Sequence, residues 1–226
     1  TVSGNSTPAA GGGISATGGN LTINNSTITD NTDGGGNTAD GISSSGATVT
    51  FTSTIVAGNT GDNDLNGTGF VDGGNNLIGN VGTTGFGGVS DANLLGSPGN
   101  IVNADIGALA NNGGPTQTHA LNPGSPAIDA GSNPNSLTTD QRGTGFDRES
   151  PTGNPDIGAF ELQYTNVSDN LDTDVSASGN TLRDHVIAAN SNSDHSFLSL
   201  NAATTYTLSE AGISEDAALT GDLDII

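Results

Sequence analysis

Two similar stretches decide the fold: residues 13–32 read GISATGGNLTINNSTITDNT, and residues 41–60 read GISSSGATVTFTSTIVAGNT. The second stretch follows the first by 28 positions, so that Leu-Thr-Ile at 21–23 matches Val-Thr-Phe at 49–51. Apolar and polar residues alternate in these short runs, as they do in β-strands with one buried face. Clusters of Gly, Asn, Asp and Ser separate the runs and tolerate the left-handed backbone of tight corners.

Stacking of such units is the fold that this pattern predicts. A single unit could not bury its one row of apolar side chains, whereas stacked coils could, at a strand spacing of about 4.8 Å. A period in the twenties with short strands and no helical pattern therefore favours an all-β parallel β-helix over leucine-rich repeats or propeller blades. Asn31 and Asn59 occupy equivalent positions. They form either an internal amide ladder or solvent-exposed turns.

Charged residues are few, and nearly all of them are acidic. There are 24 acidic residues against three basic ones, none of them lysine, and the formal net charge is −21. Coulomb repulsion therefore opposes binding to nucleic acid or to an anionic membrane. The absence of cysteine excludes disulfides, iron–sulfur centres and thiolate zinc sites. No apolar run approaches the roughly 18 residues of a membrane span, so we expect no membrane insertion.

After about residue 61 the period loosens, and a dense series of motifs follows. The motifs are NLIG at 76–79, GGPTQTHAL at 113–121, PGSPAIDAG at 123–131, TDQRG at 139–143 and DIGAFE at 156–161. In this order they resemble the C-terminal part of bacterial surface proteins called choice-of-anchor Q domains. The resemblance covers residues 1–161. It implies a right-handed parallel β-helix that is secreted and held at the cell surface.

The C-terminal part of the chain resembles the beginning of such a protein. SGNTLRDHVIAAN at 178–190 is similar to the CSLREA-type motif that opens many of these β-helices. It departs from that motif at Asn180, at Thr181 and at the Asp-His pair 184–185. This segment is also the best helix candidate, and the residues after it resemble the first coils of the family. We therefore expect a β-helix over 1–162 and a segment of opening coils and cap helix over 163–226.

The order of these motifs is inverted relative to the family, which suggests how copies assemble. The chain begins within a β-helix, completes a C-terminal end, and then begins another β-helix. Uncapped β-helix ends expose strand edges that pair with other chains. The C-terminal coils of one copy could supply the missing first coils of the next, giving a head-to-tail homopolymer. The alternative is one slice of a longer tandem protein, and both alternatives give a repeating rod.

Clustered acids make structural calcium the expected cofactor. Calcium takes about six to eight oxygen ligands from carboxylates, carbonyls and Asn side chains, and divalent ions would relieve the self-repulsion of the acidic chain. The alternative is a solvated acidic surface that only confers solubility. The candidate ligands are Asp62, Asp64, Asp72, Asp140, Asp147, Asp156, Asp169, Asp172, Asp174, Asp222 and Asp224.

No catalytic set is expected. Enzymes of the β-helix fold combine calcium with an Arg or Lys base, or use clustered Asp residues as acid and base. Here lysine is absent, Arg142 is expected to pair with Asp140, Asp156 or Glu161, and His119 to pack or hydrogen-bond within a coil. We predict a structural subunit of an extracellular filament, sheath or surface layer. The alternative is a surface adhesin that binds glycans, or a polysaccharide-active lyase or hydrolase.

Overall fold

The computed structural model describes residues 1–8, 10–34, 41–61, 63–86, 92–149, 153–167, 196–200 and 223–224. The chain divides into two compact units, Thr1–Leu162 and Gln163–Ile226. Within the described residues every regular element is a β-strand, which confirms the all-β class. The predicted helix at 178–190 lies outside these residues. None of the described residues forms a helix able to span a membrane.

Thirteen short strands build the first unit. They are β1 (Val2–Ser3), β2 (Ser6–Thr7), β3 (Ile14–Thr17), β4 (Asn20–Asn24), β5 (Thr27–Thr29), β6 (Thr32–Asp33), β7 (Ile42–Ser45), β8 (Thr48–Thr52), β9 (Ile55–Val56), β10 (Leu65–Gly67), β11 (Phe70–Asp72), β12 (Leu77–Ile78) and β13 (Leu94–Leu95). We call β3–β5 coil 1, β7–β9 coil 2 and β10–β12 coil 3. Equivalent strands of successive coils pair in parallel, in the orders β3-β7-β10, β4-β8-β11 and β1-β5-β9-β12-β13.

The register between coils 1 and 2 follows the sequence repeat. Leu21 lies opposite Val49, and Ile14 lies opposite Ile42, so both pairs are 28 positions apart as predicted. The spacing then shortens to 17 between Leu77 of β12 and its partner in β13. The loosening of the period after residue 61 is therefore confirmed as shorter coils.

The core lies inside the stacked coils. Alternate residues of each strand point inward, so Ile28, Val49, Phe51 and Val56 are completely buried. The ring of Phe51 stacks on the ring of Phe70 in coil 3, with centroids 5.7 Å apart. Each buried side chain of this size contributes about 2 kcal/mol. The outward-facing positions between them carry mainly Thr, Ser and Asn.

A long irregular segment covers the outer face of the β1-β5-β9-β12-β13 sheet; we call residues 104–149 and 153–162 the cover segment. The backbone N–H of Ala159 donates to Thr27 Oγ1 at 3.0 Å. Ile55 points away from the inner core, beside inward-facing Val56, yet it is fully buried. Gly158 explains this close approach. Its φ is +109°, and a Cβ there would lie 2.9 Å from the Ile55 Cδ1 atom.

The cover segment also crosses the corners of all three coils, and we call residues 130–135 the corner crossing. Asn25, Ser53 and Asn75 occupy equivalent corners, each with a left-handed φ between 44° and 56°. Asn75 donates to the Ala130 carbonyl at 2.9 Å. The Ser132 N–H donates to Ser53 Oγ at 3.0 Å, and Asn25 donates to the Ser132 carbonyl at 2.7 Å. One stretch of chain therefore bonds to coils 3, 2 and 1 in turn.

The second unit contains three described strands, β14 (Tyr164–Val167), β15 (Ser196–Leu200) and β16 (Leu223–Asp224). They form one parallel sheet in the order β14-β15-β16. Phe197 of β15 lies opposite Asp224 of β16, 27 positions later. Tyr164 of β14 lies opposite Phe197, 33 positions later, so only the β15–β16 spacing is close to that of coils 1 and 2.

Candidate assembly end and buried charge cluster

An asparagine ladder runs through one corner of the coils. The backbone N–H and the Nδ2 of Asn5 both donate to Asn31 Oδ1, at 3.1 and 2.9 Å. The same two groups of Asn31 donate to Asn59 Oδ1, at 3.1 and 3.0 Å. Asn31 has no exposed surface. The amide ladder is therefore confirmed over the solvent-exposed alternative.

The ladder stops at Asp64. Asn59 donates its N–H and Nδ2 to Asp64 Oδ1 at 3.3 and 2.8 Å, and the Asn80 N–H donates to Asp64 Oδ2 at 2.7 Å. This carboxylate thus accepts from both sides. A carboxylate has no N–H with which to donate in turn, so this series of side-chain hydrogen bonds ends at Asp64.

Asp72 has a similar role at a second corner. Asn76 donates to Asp72 Oδ1 at 3.0 Å, and Asn93 donates to Asp72 Oδ2. Asn76 Oδ1 in turn accepts the Thr54 N–H at 3.1 Å. Asp64 and Asp72, which are predicted calcium ligands, therefore both accept hydrogen bonds from amide groups in this structure.

Asn5 is the first rung of the ladder among the described residues, and we call the outer edges of β3 and β4 together with Asn5 the assembly end. Among the described residues, β3 pairs only with β7, and β4 pairs only with β8. Gly19 and Asn25 flank β4 on either side, and the Gly19 carbonyl and the Asn25 N–H both bond to β8. Backbone groups alternate sides along a parallel strand, so Thr22 points its N–H and C=O away from β8.

Apolar side chains of β1 and of coil 1 reach this same end. Val2, Ile14, Ala16 and Leu21 pack against the buried core but are themselves only partly buried. Their equivalents in coil 2, such as Ile42 and Val49, have no exposed surface. Within the part of the chain that the structure describes, the assembly end therefore combines strand edges that have a partner on one side only with half-covered apolar side chains.

A buried charge cluster lies within the cover segment. Arg142 donates from Nε and NH2 to Asp140 Oδ2, at 2.9 and 2.7 Å, so its predicted ion pair with Asp140 is confirmed. The guanidinium carbon lies 3.9 Å above the Phe146 ring and 3.8 Å from the Phe160 ring centroid. Stacking of this kind stabilises a desolvated guanidinium.

Arg148 completes the cluster and is 1% exposed. Its Nε lies 3.7 Å from Glu161 Oε2, and its NH2 donates to the Asp156 carbonyl at 2.7 Å. Burial, as the largest cause, raises the pKa of Glu161 to about 9 and the pKa of Asp156 to about 6. With Asp140, three buried carboxyls face two guanidiniums, and Asp129 adds a further negative charge beside Asp156, so repulsion among the acids favours retention of a proton.

The remaining predicted calcium ligands are scattered. Asp140 and Asp156 lie in the charge cluster, whereas Asp147 is exposed and lines a shallow pocket with Glu149. Asp224 lies in β16. No three His, Cys, Asp or Glu side chains in the described part of the chain are placed to hold a metal ion. Outside the described residues lie Asp62, Asp169, Asp172, Asp174 and Asp222.

A serine–histidine contact was missed by the sequence reasoning. His119 is 2% exposed, its Nε2 lies 2.8 Å from Ser3 Oγ, and its Nδ1 lies 2.8 Å from the Gly107 carbonyl. An Nδ1–H donating to that carbonyl leaves Nε2 to accept the serine proton. Because 116 positions separate Ser3 from His119, no local sequence motif predicts their contact. The contact attaches the cover segment to β1.

The chain matches no protein-family model, no curated protein and no solved structure. Its function is therefore inferred from the contacts described above.

Proposed function

We propose that the protein is a structural subunit of an extracellular filament, sheath or surface layer, folded as a right-handed parallel β-helix and joined head to tail. The observation that carries this proposal is the assembly end. β3 and β4 each have one described partner, and Ile14, Ala16 and Leu21 beside them are only partly buried. A sheet edge of this kind favours addition of another parallel strand.

The second unit of another copy is the proposed occupant. Its strands β15 and β16 are parallel and 27 positions apart, close to the 28 positions between coils 1 and 2. Coils of this spacing would continue the stack without a change of period. The same coil could belong to a longer tandem chain, and a repeating rod results in either case.

Calcium and secretion belong to the same proposal. A rod with a net charge of −21 per copy repels its neighbours, and divalent cations bound to carboxylates reduce that repulsion. Of the predicted ligands with described side chains, Asp147 is the exposed one. We place calcium at exposed acids of this kind, where it stabilises the rod rather than taking part in a reaction.

A glycan-binding surface adhesin is the second candidate function. The outer faces of β3, β4, β7 and β8 carry hydroxyl and amide side chains without a charged residue, as at Ser15, Thr22, Ser43 and Thr50. Such a surface would not repel a neutral polysaccharide, whereas most of the acidic chain would repel a polyanionic one.

The edge of β4 gives a direct test of assembly. Thr22→Pro removes an N–H that faces away from β8, and proline is tolerated at such an edge position. Thr22→Val changes the same side chain but keeps the N–H. In sedimentation velocity and electron microscopy, we expect wild type to form end-to-end rods, Thr22→Val to associate more strongly than Thr22→Pro, and Thr22→Pro to remain largely monomeric. A wild-type chain that stays monomeric at high concentration, with and without calcium, would contradict the proposal.

A further inference from the structure

We propose that copies of this protein also pack side by side, through the outer face of the β4-β8-β11 sheet, with a second copy of the chain as the partner. This inference rests on the proposed function as a filament, sheath or surface layer, and it identifies the surface through which neighbouring rods meet. We call this surface the threonine face. Its exposed and half-exposed side chains are Asn20, Thr22, Thr48, Thr50, Thr52 and Val71.

The threonine face belongs to a part of the chain that is free of charge. Charged residues make up 12% of the sequence, yet none occurs within 13–29, 41–60 or 65–71. Acidic residues of the first unit lie instead at corners and in the cover segment, as at exposed Asp30 and Asp147. Two rods with a net charge of −21 per copy repel each other where their acidic surfaces meet. An uncharged wall is therefore where two rods can come into contact.

A column of β-branched residues runs through the middle of the threonine face. Thr22 lies opposite Thr50, and Thr50 lies opposite Val71. Val49 and Phe51, on either side of Thr50, are fully buried in the core, so the column points outward. Because β-branched side chains have restricted rotation, they lose little conformational entropy when another surface covers them.

The shape of this face suits a second copy of itself. Outward positions along β8 are two residues apart, at Thr48, Thr50 and Thr52, which leaves grooves between them. Successive strands repeat this pattern about every 4.8 Å along the stack, and two such faces can interdigitate with their sheets about 10 Å apart. Uncharged segments of high β-propensity form dry interfaces of this kind.

The other uncharged wall, formed by β3, β7 and β10, is less suited to this contact. Its outward positions carry mainly serine, as at Ser15 and Ser43. Val71 of the threonine face is 43% exposed, whereas none of the large apolar side chains that are exposed among the described residues belongs to β3, β7 or β10. Burial of apolar surface therefore favours the threonine face as the contact.

Substitutions at Thr50 test the contact while keeping the backbone N–H of β8. Thr50→Lys makes the chain less negative, so general repulsion between copies decreases, but it places an unpaired ammonium group inside the proposed interface. Thr50→Val keeps the shape of the side chain and repeats the residue found at position 71. Ser43→Lys is the matched control, because Ser43 is also half-exposed and lies on the other uncharged wall.

Electron microscopy of the full chain shows whether rods lie singly or side by side, and sedimentation velocity gives the concentration at which half of the material is laterally associated. Circular dichroism of dilute samples checks that each variant is folded. A face-to-face contact carries the substitution from both copies. We therefore expect Thr50→Lys to raise that concentration about a hundredfold, and Thr50→Val and Ser43→Lys to stay within about threefold of wild type.

The outcomes separate this inference from the proposed function. If Thr50→Lys associates as well as Ser43→Lys, or if wild type forms only single rods, the lateral contact is wrong and head-to-tail assembly stands. If Thr50→Lys associates normally but no longer binds an insoluble neutral polysaccharide that wild type binds, a glycan rather than a second copy occupies the face. Side-by-side pairs without end-to-end rods would support the lateral contact and refute the head-to-tail joint. A wild-type chain that stays monomeric refutes both.

Discussion

Replacing Glu161 by Gln should stabilise the protein at neutral pH and remove much of the loss of stability that occurs as pH rises from about 4.5 to about 9. The pKa of Glu161 rises from 4.5 to about 9 in the folded protein, chiefly through burial. A folded pKa above the unfolded value means that the stabilising contribution is complete below about pH 4.5 and is lost as pH rises to about 9. The pKa of Asp156 is raised in the same direction, to about 6.

The magnitude follows from linkage. In the range between the two pKa values, each pH unit costs the folded state about 1.4 kcal/mol for one such group. At pH 7, keeping the Glu161 proton therefore costs about 3 kcal/mol relative to pH 4.5. Glutamine carries no titrating proton, and its carbonyl oxygen can still accept the Asp156 N–H that Glu161 Oε2 accepts at 3.0 Å.

Urea unfolding followed by far-UV circular dichroism at pH 5, 6, 7 and 8 measures this effect. High salt should be present throughout, because the net charge of −21 adds its own pH dependence. Glu149→Gln is the matched control, since Glu149 is exposed. Equal slopes of unfolding free energy against pH for wild type and Glu161→Gln would refute the buried-proton explanation. So would a Glu161→Gln protein that is less stable than wild type at pH 8.

Three further outcomes follow from packing, the ladder and charge. Gly158→Ala should lower the free energy of urea unfolding by about 2–4 kcal/mol, because its Cβ would lie 2.8 Å from Thr27 Oγ1. Gly145→Ala is the control and should cost only about 1 kcal/mol, because Gly145 has φ +95° but nothing within 4 Å of its added Cβ. Equal costs for the two variants would argue against the close approach at Gly158. Asn31→Ala should cost about 3 kcal/mol through unsatisfied buried groups, and a cost below 1 would mean that the ladder contributes little. Saturating calcium should raise the thermal midpoint by an amount equivalent to about 1–2 kcal/mol, reversibly with EDTA, and no shift would remove calcium from the proposal.

The stacked part of the fold was accessible to sequence reasoning because its contacts repeat. A constant offset of 28 positions places Leu21 opposite Val49 and Asn31 beside Asn59, so one internal copy predicts several contacts at once. The Arg142–Asp140 ion pair was accessible for a different reason, since its two residues lie two positions apart in the chain.

The cover segment could not be predicted in the same way. The contact between Ser3 and His119 and the bond from Ala159 to Thr27 each occur once, and no period relates them. The burial of Glu161 was equally hidden, because an isolated glutamate in a sequence normally indicates an exposed side chain. The presence of two arginines and several acids within residues 140–161 was the one available signal.

The corner crossing has a mechanical consequence. Tension along the stacking axis would separate a simple stack one coil at a time, because only one interface need open first. Here residues 130–135 are tied to Asn75, Ser53 and Asn25 in three successive coils. The crossing therefore acts as a longitudinal tether that distributes the load over both interfaces between these coils, and the tether must detach before the coils can part.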